Sequence, residues 1–342
     1  MKVYTLKVQD VIKETADAVT ICFKQPNLKK VKYQAGQYLS VVLRINGRRY
    51  IRAYSFSSSP SLDKTLNITV KRVLGGIMSN YINDSVKVDD VIEVLEPIGK
   101  FIHKTDSNIQ TITFWGVGSG ITPLYSIIRE LLATDELVVL NLIYGNKRKG
   151  DALFFDEIEK LQQDYSNRFK VYHFLSQEKE IVDSTNRTLN SRISKEFVTD
   201  YSAQFPFSKH YICGPLAMKE MIIEELVKNQ CAEDRIYFEN FELVKNPEDF
   251  KNIVNQKVVI SFNGIDTEVE VIKGNSILEE ALELNIELPY SCQTGSCSTC
   301  KATLLSGELQ MIGLDKPRTD LNSDEFLLCC SYPLSENVKL SI

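Results

Sequence analysis

Three cysteines crowd one short stretch near the end of this 342-residue sequence, as Cys292-Gln293-Thr294-Gly295-Ser296-Cys297-Ser298-Thr299-Cys300. Thiolates spaced C-x4-C-x2-C, with a fourth cysteine further along, are the ligand set of a [2Fe–2S] cluster. Such a loop must wrap the sulfurs with its amide N–H groups pointing inward. Gly295 permits the turn, and Ser296, Ser298 and Thr299 are small enough for close approach. The fourth ligand is Cys329 or Cys330, and spacing alone does not separate them. The flanks favour Cys329, which ends the run Phe326-Leu327-Leu328 and stands four residues before Pro333. Cys330 would then point the other way along the strand, as a small buried hydrophobe. A structural zinc site is the competing use of such cysteines. The four-residue gap and the lack of any histidine after His210 weigh against it, and the latter also excludes a Rieske centre with its two histidine ligands.

Two further sets of residues could hold nucleotides. Arg52-Ala53-Tyr54-Ser55 ends a predicted strand. A buried Arg52 there would suit a pyrophosphate, because its planar fork binds phosphate oxygens bidentately. Tyr54 can lay its ring against an isoalloxazine, and Ser55 can reach a flavin ring nitrogen. Gly75-Gly76-Ile77-Met78-Ser79 follows about twenty residues later and opens a short helix, whose free N–H groups favour a phosphate. Neither element is specific by itself. Further on, a strand runs into Gly116-Val117-Gly118-Ser119-Gly120-Ile121-Thr122-Pro123. Glycines at a strand-to-helix turn let a pyrophosphate approach the backbone and the helix N-terminus. The third glycine comes one residue earlier than in G-x-G-x-x-G. A companion motif, Cys213-Gly214-Pro215, follows another predicted strand. The run Lys147-Arg148-Lys149 could meet a 2′-phosphate, although such runs are commonly solvated loops.

The elements that must position these residues change character along the chain. Short alternating runs at Val19–Phe23, Tyr38–Leu43, Leu66–Val73 and Val91–Leu95 predict an antiparallel β-barrel over residues 1–105, with a helical piece near Ser79–Asn83. Strand–helix alternation then predicts a doubly wound α/β domain over 106–241. Its strands are Ile109–Trp115, Leu137–Tyr144, Phe169–Leu175 and His210–Cys213, and its helices Thr122–Ala133, Ala152–Gln163 and Leu216–Asn229. Residues 242–256 are polar and lack periodicity, so they read as a linker that would let the following domain swing. Residues 257–342 begin with strands Val258–Phe262 and Thr267–Ile272 and a helix Ile277–Leu284, and carry the cysteine loop.

Composition narrows the classes. Five of the eight cysteines lie between Cys292 and Cys330, which suits a cluster site in a reducing cytoplasm better than a secreted disulfide framework. The charged start and the lack of a long apolar run predict no signal peptide and no membrane insertion. The net charge of −5 argues against nucleic-acid binding. It is also uneven. Residues 256–342 carry 13 Asp and Glu against 6 Lys and Arg, a net −7, while the remainder is near neutral at +2.

Leu288-Pro289-Tyr290-Ser291-Cys292 and Thr294-Gly295-Ser296-Cys297 resemble plant and cyanobacterial ferredoxins over residues 257–342, which implies a β-grasp α+β domain. Arg52–Ser55 with Gly75–Ser79, followed by Gly116–Pro123 with Cys213–Pro215, resemble the ferredoxin–NADP reductase family in order and spacing up to residue 241. That resemblance implies a flavin barrel paired with a nucleotide domain. The element Gly75, Gly76, Met78 and Ser79 is similar to that of members binding FAD rather than FMN, where it meets the second phosphate. By the same resemblance Gly116, Gly118, Gly120, Thr122, Pro123, Gly214 and Pro215 line the NAD(P)H site, with Thr122 and Cys213 flanking the nicotinamide. Phe241 is the aromatic expected over the flavin face, or else a core residue at a strand end, with Glu239 near the flavin. Ser55, Cys213 and Glu239 are the residues implied to attend the reacting rings. Lys147 and Arg148 favour NADPH, whereas Gln177 stands where users of NADPH often carry arginine, which keeps NADH open.

The order flavin, nicotinamide, ferredoxin is a linear electron path. With the ferredoxin module last, the chain resembles reductase components of multicomponent oxygenases, that of phenylacetyl-CoA epoxidase most. Steroid or aromatic-ring hydroxylases and fatty-acid desaturases have reductases of the same order. The implied partner is a terminal oxygenase or another electron-acceptor protein. A redox-sensing or interaction module on the same scaffold is the alternative of another class.

Overall fold

The computed structural model describes residues 2–104, 106, 110–178 and 187–342. Its first six strands are β1 (Val3–Thr15), β2 (Ala18–Lys24), β3 (Tyr38–Ile45), β4 (Arg48–Ser55), β5 (Thr65–Lys71) and β6 (Val91–Leu95), with α1 (Ile77–Ser85) preceding β6. They make one curled antiparallel sheet in the order β4-β3-β6-β1-β2-β5. β2 is buried from Ala18 to Phe23, as expected of a strand paired on both sides and covered on both faces. The alternating runs do not reveal β1. Leu6 and Val8 point inward, but its ladder with β2 shifts register between Val8 and Asp10, and a bulge there breaks the period of two.

The predicted run Ile109–Trp115 appears as β7 (Thr111–Val117), while residue 109 itself lies outside the described residues. It is followed by α2 (Ile121–Thr134), β8 (Val139–Asn146), α3 (Phe155–Asp164), β9 (Phe169–Leu175), β10 (Thr188–Leu189), α4 (Lys195–Gln204), β11 (Lys209–Cys213), α5 (Leu216–Lys228) and β12 (Ile236–Glu239). The sheet is parallel, in the order β10-β9-β8-β7-β11-β12. Successive β7 side chains face opposite sides. Ile112 and Phe114 pack in one cluster with Ile121, Leu124 and Ile128 of α2 and Ile158 of α3. Trp115 packs in another with Val198 and Tyr201 of α4 and Ile222 and Leu226 of α5. The sheet is thus doubly wound, and its strand order reverses at β7, beside β11. A crevice for a nucleotide forms at such a switch point, outside the carboxyl ends of the strands.

The C-terminal domain has strands β13 (Gln256–Phe262), β14 (Ile265–Val271), β15 (Lys301–Ser306), β16 (Leu309–Met311), β17 (Glu325–Leu327), β18 (Ser331–Pro333) and β19 (Val338–Ser341), with α6 (Ile277–Glu283). Five of them form a mixed sheet, β14-β13-β19-β15-β17, in which β13 and β19 run parallel. α6 opens with a capping box between Ser276 and Glu279. Within residues 242–256, two apolar side chains pack into the C-terminal domain. Phe250 and Ile253 are buried with Ile312 and Tyr332, and the Phe250 ring meets Tyr332 edge-on. Among the described residues no helix is long and apolar enough to cross a membrane.

By packing, the chain divides into two compact units, one holding residues 4–39 and 54–239, the other chiefly residues 40–53 and 240–342. In the first, α2 is tied to the loop between β4 and β5. Arg129 pairs with Asp63 at 2.6 Å, and Glu130 accepts the Ser59 hydroxyl at 2.6 Å. In the second, residues of β3 and β4 belong with the C-terminal domain. Arg44 meets Glu287 at 2.8 Å, Arg48 meets Glu283 at 2.9 Å, and the Ser40 and Ser291 hydroxyls share a hydrogen at 2.6 Å.

The parallel-sheet domain buries a titratable histidine against an indole. Trp115, the only tryptophan, donates its indole N–H to His210 Nδ1 at 3.1 Å, and burial holds the His210 pKa down at about 3. An unfolded histidine takes a proton near pH 6.5, which folded His210 refuses until about pH 3. Its contribution to stability is therefore complete above about pH 6.5 and is lost as pH falls towards 3, with a slope of up to about 1.4 kcal/mol per pH unit. We expect His210→Asn, which keeps an acceptor and does not titrate, to narrow its stability gap from the unaltered chain between pH 6.5 and 4.5. Urea unfolding followed by Trp115 fluorescence reads this directly, and a constant gap counts against it.

Candidate cofactor sites

The cysteine loop is anchored before it begins to turn. Leu288, Tyr290 and Ser291 are buried, and the Tyr290 hydroxyl accepts the Ile51 amide hydrogen at 2.9 Å. Within the loop Gln293, Gly295 and Ser298 take positive φ. Gly295 takes φ +73°, which glycine adopts without strain, and a Cβ there would displace the Leu314 side chain, whose Cδ2 it would meet at 2.3 Å. The Thr294 amide points at Cys292 Sγ at 3.3 Å, as a loop built to solvate sulfur requires. Gln293 donates its side-chain amide to the Ile51 carbonyl at 3.4 Å.

The sulfurs group in pairs. Cys292 and Cys297 contact each other, and so do Cys300 and Cys329. Among the described residues no three Cys, His, Asp or Glu side chains converge as a single ion needs. Two thiolates on each of two irons is the demand of a [2Fe–2S] cluster, and the donor set fits it. Cys330 lies beside Cys329, but its thiol donates to the Leu327 carbonyl at 3.4 Å. One residue at this site went unnoticed in the sequence. Arg318, between β16 and β17, donates to the Gly295 carbonyl and the Ser298 hydroxyl and pairs with Asp320 at 2.7 Å. A lone arginine in a polar stretch carries no signal that would single it out.

β4 places Arg52 and Tyr54 on one face and Ser55 on the other. Ser55 is buried and Tyr54 half-buried, but Arg52 is exposed, contrary to expectation, with Nη1 donating to the Ile51 carbonyl at 2.8 Å. The alternation that buries Ile51 and Ser55 turns Arg52 outward. After β5, Gly75 takes φ +72° and Gly76 caps α1 without a side-chain bond. Ser79 is buried and accepts the Val73 amide at 3.1 Å, so its hydroxyl shapes the turn. Met78 is also buried, which leaves the backbone amides of the first helical turn as the donors facing out.

The two glycine motifs of the nucleotide domain meet backbone to backbone. β7 and β11 pair with Gly116 opposite Cys213. A Cβ on Gly120 would lie 2.2 Å from the Cys213 carbonyl oxygen, and one on Gly214 would lie 3.2 Å from the Val117 amide nitrogen. Gly118 takes φ +57° with open space around it. Thr122 is buried in the first turn of α2 beside Pro123, its hydroxyl donating to the Ser119 carbonyl at 3.0 Å. Pro215 caps α5. Glu239 ends β12 directly opposite Cys213. Burial, reinforced by the Glu239 charge, pushes the Cys213 thiol well above its usual range, so it stays protonated. Phe241 is 47% exposed just beyond β12, not packed as a core aromatic. Lys147 and Arg148 are exposed, and β8 ends at Asn146, two residues later than the apolar run suggests. Glu178 accepts the Lys149 amide at 2.9 Å, which ties the ends of β8 and β9 together.

Three family models match the chain: an oxidoreductase FAD-binding domain over residues 5–103, an oxidoreductase NAD-binding domain over 114–224, and a 2Fe-2S iron-sulfur cluster binding domain over 260–334. One component of the 1,2-phenylacetyl-CoA epoxidase of Escherichia coli K12 is 30% identical, the alignment covering 98% of this chain and 96% of that one. The chain belongs to this family of flavin and iron–sulfur reductase components. It is an oxidoreductase whose cofactors are FAD, NAD(P)H and a [2Fe–2S] cluster. The ferredoxin reductase component of 3-ketosteroid-9-alpha-monooxygenase from Rhodococcus rhodochrous is 27% identical, over 98% of this chain and 95% of that one. The reductase also shares its fold with phthalate dioxygenase reductase, at TM-score 0.69 and 24% identity, over 99% of this chain and 98% of that one.

The close approach at Gly120 separates two substitutions. Gly120→Ala drives a methyl into the Cys213 backbone and costs about 1–3 kcal/mol. Gly118→Ala meets no atoms and pays only for its left-handed backbone, about 1 kcal/mol. Thermal unfolding of the holoprotein checks the order. Equal losses would mean that the Gly120–Cys213 contact yields.

Proposed function

We propose that this reductase passes electrons from NAD(P)H through FAD and the [2Fe–2S] cluster to a partner oxygenase, with phenylacetyl-CoA epoxidase as the first candidate. The observation that carries the electron path is the hold of the cysteine loop on β4, through Tyr290 and Gln293 to the two backbone groups of Ile51. The loop expected to bear the cluster is thus bonded to the residue preceding Arg52-Ala53-Tyr54-Ser55. The epoxidase assignment rests on the name of a relative matched along nearly its whole length.

When bound, FAD takes a hydride from NAD(P)H and hands electrons on singly to the [2Fe–2S] cluster. The chain's own residues bind and orient. Arg52 offers its guanidinium to the flavin pyrophosphate, Tyr54 its ring to the isoalloxazine and Ser55 its hydroxyl to a ring nitrogen. Gly75, Met78 and Ser79 would present backbone amides to a phosphate, while Gly76, its amide donated to the Val73 carbonyl, opens the helix and Ser79 also braces the turn. Gly116, Gly118 and Gly120 admit the nucleotide pyrophosphate to the start of α2, where Thr122 and Pro123 fix the first turn. Cys213, Gly214 and Pro215 form the floor for the nicotinamide. The protonated Cys213 would bring no charge to that ring, with Glu239 directly opposite it on β12. Exposed Phe241 would supply the aromatic expected over the flavin face. Lys147 and Arg148 receive the 2′-phosphate of NADPH. Cys292, Cys297, Cys300 and Cys329 hold the cluster.

Anaerobic titration tests the path: NADPH bleaches flavin and iron–sulfur absorption together, with kcat/KM higher for NADPH than for NADH. A colourless, zinc-holding protein overturns the electron path, and a large NADH preference overturns the role of Lys147 and Arg148. Reconstitution with the other epoxidase components tests the partner, and fast cytochrome c reduction without epoxidation sinks that choice.

The ligand set has its own test. Cys329→Ser is expected to lose most of the bound iron, and Cys330→Ser to keep it, by iron and sulfide analysis. The reverse result assigns the fourth position to Cys330.

A further inference from the structure

We propose that Arg318 positions the iron–sulfur loop and raises the reduction potential of the cluster it holds. Its guanidinium reaches into the Cys292–Cys300 turn from a different segment of the chain and bonds two residues there, the Gly295 carbonyl and the Ser298 hydroxyl. These are two of the three loop residues with positive φ, and Ser298 takes that conformation without being glycine. A left-handed non-glycine residue persists only where its surroundings hold it. The side chain is 10% exposed, and Asp320 fixes its other edge, at Nε and Nη2, at 2.7 and 2.8 Å. A guanidinium with every edge engaged cannot turn away into solvent.

The segment bearing it is itself fastened. At Gly313 a Cβ would lie 2.8 Å from the Val244 carbonyl oxygen, and Asn240 bonds Asp315 at 2.5 Å. The clamp is therefore built into the domain. Bonded to Gly295, between Cys292 and Cys297, and to Ser298, next to Cys297, Arg318 sets its charge against the loop that carries those two thiolates. Reduction adds negative charge to the cluster, and a fixed positive charge in a poorly solvated position favours the reduced state. Arg318 thus draws electrons from the flavin side, with Asp320 tempering the pull. This inference rests on the four-cysteine ligand set proposed above.

The experiment uses the full-length holoprotein and reads the cluster rather than turnover. Two irons per unaltered chain establish the cluster first, and their absence overturns both readings. In Arg318→Gln, spectroelectrochemical titration is expected to show a lower cluster potential. The flavin-to-cluster electron equilibrium should fall about tenfold, or about 59 mV for one electron. The reduced-cluster EPR spectrum should change, and iron release should quicken. Arg318→Lys keeps the charge without the fork and should recover most of the potential while still releasing iron faster. Arg318→Gln with an unchanged potential overturns the proposal, leaving Arg318 a plain ion pair with Asp320. Should Arg318→Gln fail to retain iron, Asp320→Asn decides: removing the counter-charge must raise the potential, and no shift refutes the assignment.

Discussion

A phenol and an amide set the terms for the cluster. The Tyr290 hydroxyl takes the Ile51 N–H, and Gln293 returns a bond to the Ile51 carbonyl, so both backbone groups of one residue on β4 are committed to the cysteine loop. Here buried hydroxyls, Ser40 with Ser291, and the Arg44–Glu287 and Arg48–Glu283 pairs surround the same bond. The exposed pairs add little stability individually. The buried hydrogen bonds are costly to break, because each would leave a desolvated polar group. Residues 40–53 therefore pack with a domain two hundred residues away.

The nucleotide domain rests on a different constraint, the near-contact of two backbones. Gly120 lets α2 begin against the carbonyl of Cys213, and β7–β11 pairing fixes which residues meet. The neighbouring β11–β12 pairing sets Glu239 opposite Cys213, whose burial keeps its thiol protonated. α2 then carries the constraint outward, since its Arg129 and Glu130 hold Asp63 and Ser59 of the flavin domain.

Charge is spent differently in the two halves. The acidity of residues 256–342 reads as a surface for a basic partner. Much of it is committed internally. Glu268 pairs with Lys257, Asp266 with Lys339, Glu325 with Lys301 and Glu279 with Lys245, besides the two carboxylates held by Arg44 and Arg48. Three of these cations, Lys245, Arg44 and Arg48, lie outside residues 256–342, so they offset part of the net −7 and leave the rest for long-range steering.

The sequence determined what depends on local chemistry. Cysteine spacing implied the cluster, glycine placement marked the nucleotide turns, and apolar periodicity exposed most strands and helices, since each signal is carried by residues close in the chain. Missed elements had their signal broken locally, as β1 did by its bulge, or diluted, as in the stretch whose two apolar anchors, Phe250 and Ile253, sit among polar residues. Tertiary structure decided what depends on distant partners. It packed Phe250 against Tyr332, bonded the Tyr290 hydroxyl to Ile51, and brought Arg318 to the cluster loop. No spacing rule reaches those outcomes, because each is fixed by a bond between residues whose separation in sequence carries no information about their separation in space.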